Sequence, residues 1–259
     1  MLSAMFTQLF SGLNIAGITE EEAEDVVIGD DLRPLCVSAD QLDDQFFILG
    51  EGCFGLVTLA IQEKPLKLAL EYMDMGDVLD ALKRMNFSNT DLLSIICDVA
   101  DGMRYISEKN YIHNDLACRN VFVNNKKEAK IGDFGLCKYV GDTGGIYEQT
   151  THVFRNVLVA PEAMDTRKFT TKSDVWAMGI LIWELYFTAS GEINFWKGVI
   201  LEQYEIERGK LPKPERCPRE VYEYMNKLLH NNPWKRPTFT EVKNRLEEIK
   251  TSYNPCYIQ

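Results

Sequence analysis

The stretch from Thr171 to Phe187, TKSDVWAMGILIWELYF, constrains the fold more than any other part of the chain. Its apolar residues leave no polar stripe, so a helix formed there has no face to give to water and must lie at the centre of other elements. A chain of 259 residues is long enough to supply that cover as one large domain or two small ones. Hydrophobic residues at 46% and charged ones at 26% belong to an ordinary globular protein, which excludes collagen-like, low-complexity and wholly disordered classes. No stretch reaches the ~20 apolar residues of a membrane span. Met1 to Thr19 carries no charge, but Ser, Thr, Gln, Asn and Gly interrupt it and no Lys or Arg flanks it, so neither a signal peptide nor a span is expected there.

The net charge of -11 is unevenly spread. Residues 1–49 hold ten acids against Arg33 alone, which leaves the rest of the chain near neutral. An acidic leader of this kind reads as a solvated tether and repels nucleic acid and anionic lipid, so neither is an expected partner. The seven cysteines are odd in number, scattered, and without a Cys-x-x-Cys pair or clustered histidines. Free thiols in a reducing, cytoplasmic compartment are therefore expected, and no zinc site.

Periodicity divides the chain beyond the leader into a β-rich front and a helical bulk, an α+β order. Gln45 to Leu49 and Leu56 to Ile61 read as strands, and Leu66 to Met73 as a third. Ser88 to Asn110 carries Leu92, Ile96, Val99, Met103 and Ile106 on one helical face, with polar starters at Ser88, Asn89 and Asp91. Helical patterns return at Gly198 to Arg208, Arg219 to Asn231 and Thr238 to Lys250. No solenoid repeat and no Pro-rich or Gly/Ser linker breaks this body, which points to one continuous domain.

Three loops carry chemistry. Gly50-Glu51-Gly52-Cys53-Phe54-Gly55 stands between two strand patterns, and Val57 comes within the β-branched run after it. A dinucleotide turn needs a helix at that place, so these glycines suit a hairpin whose bare backbone approaches phosphates. On the second loop, His113-Asn114-Asp115-Leu116-Ala117-Cys118-Arg119-Asn120, a carboxylate and an amide can orient a hydroxyl and ligate a cation. Asp133 in Gly132-Asp133-Phe134-Gly135, 18 residues beyond Asp115, is a hard oxygen donor suited to magnesium. Either loop alone reads equally well as an Asx-rich turn, but the two together in this order do not.

In this order the motifs resemble those of the protein kinase family, its tyrosine-specific branch in particular. Ala160-Pro161-Glu162, Lys172-Ser173-Asp174-Val175-Trp176 and Asn232-Pro233-Trp234-Lys235-Arg236-Pro237 extend the resemblance over residues 45–250. It implies a bilobal fold: a shortened, β-rich N-lobe and hinge over 45–75, a larger, mainly helical C-lobe over 76–250, an acidic leader over 1–44 and a tail over 251–259. ATP and Mg2+ are the implied cofactors, and proteins bearing an acceptor tyrosine, with other signalling proteins, the implied partners. Asp115 would accept the proton of the substrate hydroxyl, and Asn120 and Asp133 would hold magnesium. Gly50, Gly52, Gly55 and Val57 would cover the nucleotide. Glu71 and Met73 would bind adenine from the hinge, with Leu70 behind the pocket and Phe122 beneath the base. Glu162 would pair with Arg236, and Asp174 would brace the catalytic loop. Ala117 and Arg119 carry the tyrosine assignment, because serine/threonine kinases usually place Lys where Ala117 stands. Tyr147 would be the regulatory phosphosite or an inert surface tyrosine.

The chain also departs from the family. Only 15 residues separate Gly55 from Glu71, where a third strand with its lysine, a helix with the partner glutamate and a fourth strand need roughly 33. Lys64 and Lys67 flank Pro65 without the expected context, so neither takes the phosphate-gripping role. The small sheet is then expected to pair unusual neighbours or expose its edges. Asn114 stands where an arginine would bind a phosphorylated loop, and Phe154 to Val159 lack the Pro and Trp that shape the acceptor site. Three readings stay open: an impaired tyrosine kinase, a catalytically inactive pseudokinase that docks proteins, or a sequence lacking a coding segment near Gln62 to Leu68.

Overall fold

Glycines set the geometry of the front of the chain. Strands β1 (Phe46–Gly52) and β2 (Gly55–Ala60) run antiparallel, with Gly52 opposite Gly55 and Gly50 opposite Val57, and the register shifts between Ile48 and Gly50. The glycines thus lie inside the strands rather than in a separate loop. Strand β3 (Lys67–Ala69) pairs directly with β2, Lys67 facing Ala60, in a sheet of order β1-β2-β3. This strand is shorter than the expected run from Leu66 to Met73. Among the described residues no helix falls between Gly55 and Val78, as the short spacing requires.

The computed structural model describes the backbone of these three strands and, with side chains, residues 73–150, 159–191 and 211–253. The leader, Lys64, Leu70, Glu71, Phe154 to Leu158 and the helical pattern from Gly198 to Arg208 lie outside the described residues.

Helix α1 (Val78–Arg84) starts at Asp77, whose carboxylate accepts from the Asp80 amide at 3.0 Å. Helix α2 (Asn89–Glu108) starts on a reciprocal cap: the Ser88 hydroxyl accepts from the Asp91 amide, and the Asp91 carboxylate accepts from the Ser88 amide. Short strands come next: β4 (Tyr111–Ile112), β5 (Val121–Val123), β6 (Ala129–Ile131), β7 (Lys138–Tyr139) and β8 (Tyr147–Glu148). Then come helix α3 (Pro161–Thr166), strand β9 (Lys168–Phe169) and helices α4 (Thr171–Ala189), α5 (Arg219–Leu228) and α6 (Phe239–Tyr253). The strands pair as antiparallel ribbons, β4 with β7, β5 with β6 and β8 with β9.

Helix α4 is the central helix the sequence demanded. Every residue from Ser173 to Thr188 is buried, and α1, α2 and α5 pack against it. Trp183 stacks on Phe187 with ring centroids 4.5 Å apart and donates its indole N–H to the Pro212 carbonyl at 2.8 Å. Gly179 sits in this helix interior because a methyl there would stand 2.8 Å from Leu229 Cδ2.

One buried ion pair ties the helices together. Arg236 Nη1 and Nη2 donate to Glu162 Oε1 and Oε2 at 2.7 and 2.8 Å, and further donors reach the carbonyls of His230 and Lys172. The guanidinium also lies over the Trp176 ring at 5.0 Å. Glu162→Ala leaves that buried cation without its counter-charge, and the unfolding free energy from urea denaturation is expected to fall by about 3 kcal/mol. An unchanged urea midpoint would show that the pair does not hold the fold.

Candidate active site

The site is built on a loop hung from α4. Asp174, 3% exposed, accepts the His113 amide on Oδ2 at 2.7 Å and the Asn114 amide on Oδ1 at 3.0 Å. Both oxygens are used, so the start of the loop is fixed in position and direction. Asn114 adopts a left-handed backbone (φ 63°), a conformation asparagine tolerates better than most side chains. A second carboxylate on the same helix, Glu184, accepts the Cys118 amide at 3.1 Å. An acid set within the apolar run Val175 to Phe187 needs such a partner, and that was the only sequence signal for Glu184.

Asp115 stands between these anchors, and Arg119 and Asn120 directly follow the second. Asn120 donates through Nδ2 to the main-chain oxygen of Asp115 at 2.7 Å and to its Oδ2 at 2.8 Å. Arg119 makes an ion pair with Asp115 Oδ1. The amide nitrogen of Asn120 being committed to Asp115, its oxygen is the atom left for a cation.

Asp133 is brought to the same place by β5 and β6. The Gly132 amide donates to the Asn120 carbonyl at 2.8 Å, which joins the second loop to the first. His113 connects them again: its Nε2 lies 3.2 Å from the Gly132 carbonyl, and its Nδ1 accepts the Asp115 amide at 3.3 Å. That pattern places the proton on Nε2 of a neutral ring, and burial lowers the His113 pKa in agreement. Asp133 takes a left-handed backbone (φ 51°), with Oδ1 accepting from the Gly135 amide at 3.2 Å. Phe134 then turns back against the His113 ring, centroids 5.3 Å apart.

On the hinge side, the Met75 amide donates to the Val123 carbonyl and the Val123 amide to the Gly76 carbonyl, at 3.1 and 2.9 Å. The segment from Met73 therefore runs beside β5 and Phe122. Hydrogen bonds and an ion pair thus link Asp115, Arg119 and Asn120 to the Gly132 neighbour of Asp133, and β5 carries Phe122 beside the segment that follows Met73. Gly50, Gly52, Gly55 and Val57 lie in the separate β1–β2 hairpin, and Glu71 is outside the described residues.

The donor set fits magnesium. An amide oxygen and a carboxylate are hard ligands, and among the described residues no three acidic, Cys or His side chains converge. Such a pair shares the ion with phosphate oxygens and water rather than caging it. Among the described residues, burial pushes the thiols of Cys97, Cys137 and Cys217 up to about 12 and that of Cys118 well above its ordinary value, so none of these four is poised as a nucleophile.

The family described as protein tyrosine and serine/threonine kinase matches residues 49–246. The chain belongs to the protein kinase family. It is 36% identical over 203 residues to the tyrosine-protein kinase transforming protein Abl of Abelson murine leukemia virus, covering 75% of this chain and 26% of that protein. It is 33% identical over 219 residues to the tyrosine-protein kinase csk-1 of Caenorhabditis elegans, covering 82% of this chain and 40% of that protein. This kinase domain sits with the tyrosine branch, and it spans less than half the length of either relative.

The Asp174 clamp of this kinase domain is pH-sensitive. Burial raises its carboxyl from 3.8 to about 7, against the opposing pull of the Asn114 and His113 amides. Between those pH values the native state holds the proton that the unfolded chain has lost, so this group's stabilising share is lost as pH rises through about 7. The slope is at most ~1.4 kcal/mol per pH unit. Asp174→Asn removes that component and leaves one amide unpaired, a loss of ~1–3 kcal/mol. In urea denaturation from pH 5.5 to 7.5, the stability gap between wild type and variant is expected to narrow as pH rises. A widening gap would mean that the folded state prefers the carboxylate.

Proposed function

We propose that this domain binds ATP with Mg2+ and transfers the γ-phosphoryl group to tyrosine side chains of proteins, at a rate held down by loss of the N-lobe lysine and glutamate segment. The observation that carries the reading is the unit of Asp115, Asn120 and Asp133, tied by hydrogen bonds through Asn120 and Gly132. Asp115 would take the proton of the substrate hydroxyl as its oxygen bonds to phosphorus and ADP leaves. Asn120 and Asp133 would hold magnesium, which when bound neutralises charge on the phosphate oxygens. Arg119 brings a positive charge to the acceptor side, and Ala117 leaves room for a long acceptor.

In this reading Gly50, Gly52, Gly55 and Val57 close over the nucleotide, and Glu71 and Met73 bind the base from the hinge. The domain spans 45–250, the partners are tyrosine-bearing signalling proteins, and the compartment is the reducing cytoplasm, which suits the four buried free cysteines among the described residues. One observation favours a second reading, the pseudokinase that docks proteins. With β3 joined straight to β2, Lys67 is the lysine that the β1–β3 sheet carries, and among the described residues no helix stands between β2 and α1 to supply its partner glutamate. A missing cation on the phosphates costs several kcal/mol of transition-state stabilisation, comparable to ~3 kcal/mol for one oxyanion donor.

The two readings part in a pair of measurements. ATP with Mg2+ is expected to raise the Tm of the wild type, and Asp133→Asn to remove the magnesium-dependent part of that rise; no shift in the wild type would sink the enzyme reading. Asp115→Asn is expected to keep the shift while lowering phosphotyrosine formation on a poly(Glu, Tyr) substrate by ~10²-fold or more. A signal that persists in Asp115→Asn would belong to a contaminating kinase.

A further inference from the structure

The chain enters α1 through a turn that is tied to the helical body at several points. The Gly76 amide donates to the Met73 carbonyl at 3.0 Å, and Gly76 takes a left-handed backbone (φ 73°) that suits glycine best. Two main-chain hydrogen bonds with Val123 hold this turn against β5. The Asp74 carboxylate accepts the Asn125 amide at 2.8 Å, which ties the turn to the loop between β5 and β6 as well.

A further hold comes from α1 itself. Arg84, the last residue of that helix, reaches back along it: Nε donates to the Asp80 carbonyl at 3.2 Å and Nη2 donates to the Met75 carbonyl. Its neighbour Lys83 directs its charge instead to the Asp80 carboxylate, at 2.7 Å. Arg84 is exposed, so the core does not need it. Its guanidinium is a bridge between the helix and the turn before it. A planar fork presents its donors in fixed directions, as a bridge requires, and a flexible ammonium does not.

The bridge bears on the site through the order of the chain. Met73 stands at the head of the turn, and Val123, which holds the turn, stands three residues after Asn120. A base held at Met73 therefore keeps its place relative to Asp115 and Asn120 as long as the turn does not shift. Among the described residues no helix lies between β2 and α1 to steady the hinge. The groups that hold the turn belong to α1, β5 and the loop after β5.

We propose that Arg84 is a positioning residue for the nucleotide: by bridging the Asp80 and Met75 carbonyls it fixes the Met73–Gly76 turn, and with it the base-binding end of the hinge. This rests on the reading of the cleft as an ATP site and deepens it, since Arg84 acts through the turn rather than on the nucleotide. A hinge held in its binding position before the ligand arrives spares the complex the cost of ordering it.

The test is the Kd for ADP with Mg2+, measured by isothermal titration calorimetry on the full chain, with thermal melts on every variant. Arg84→Ala is expected to weaken ADP about fivefold, the size of effect one hydrogen bond supplies, at a nearly unchanged Tm. Arg84→Lys keeps the charge but not the fork, and is expected to lose affinity with Arg84→Ala. Lys126→Ala removes an equal charge from the exposed loop after β5 and is expected to bind ADP as the wild type does. A wild-type Kd in either Arg84 variant, an equal loss in Lys126→Ala, or a loss that only follows a fall in Tm would overturn the bridge while leaving the nucleotide site standing. No ADP binding by the wild type would overturn the nucleotide reading, and the role of Arg84 with it. If Arg84→Ala does not fold, Arg84→Lys decides.

Discussion

The carboxylate of Asp174, buried at the start of the central helix and accepting two consecutive backbone amides, is the contact on which the rest of the site depends. A buried acid with no partner would be costly, and a loop whose amides faced an apolar helix would be equally so; each removes the other's penalty. Because the two amides belong to His113 and Asn114, the clamp fixes the chain direction just before Asp115. Glu184, about three turns further along the same helix, fixes it again just after, at Cys118. Asp115 lies between the two anchors and Asn120 two residues beyond the second, where its side-chain amide holds the Asp115 carboxylate.

From this loop the order spreads by main-chain contacts to the second one. The Gly132 amide on the Asn120 carbonyl and the His113 ring against the Gly132 carbonyl tie the loop of Asp133 to the loop of Asp115. The imidazole contributes as a neutral bridge, donor at one nitrogen and acceptor at the other, so a charged ring would break one of its two contacts.

Much of this was legible in the chain, for identifiable reasons. Long helices announce themselves through periodicity and caps: Ser88 and Asp91 form the reciprocal cap their spacing suggested, and the run from Thr171 is buried on all sides as its composition required. The pairing of Glu162 with Arg236 and the brace at Asp174 came from the family resemblance. The ribbons β4–β7, β5–β6 and β8–β9 were not foreseen, because strands of two or three residues have no period to read and owe their pairing to distant segments. Helix α1 escaped for a related reason, being only seven residues long. The reach of Arg84 to the Met75 carbonyl lies beyond sequence pattern altogether, since it depends on how the turn before α1 folds back on that helix.

The shortened front of the chain and the intact loops behind it are physically compatible. The buried core cluster among the described residues runs from Val78 to Ile249, and the hydrogen bonds that hold Asp115, Asn120 and Asp133 all end on residues of that same body. The contacts that position Asp115, Asn120 and Asp133 are thus supplied by the helical body itself. These loops can keep their geometry whatever the sheet supplies, so on the proposed reading nucleotide binding and phosphoryl transfer are separable by substitution.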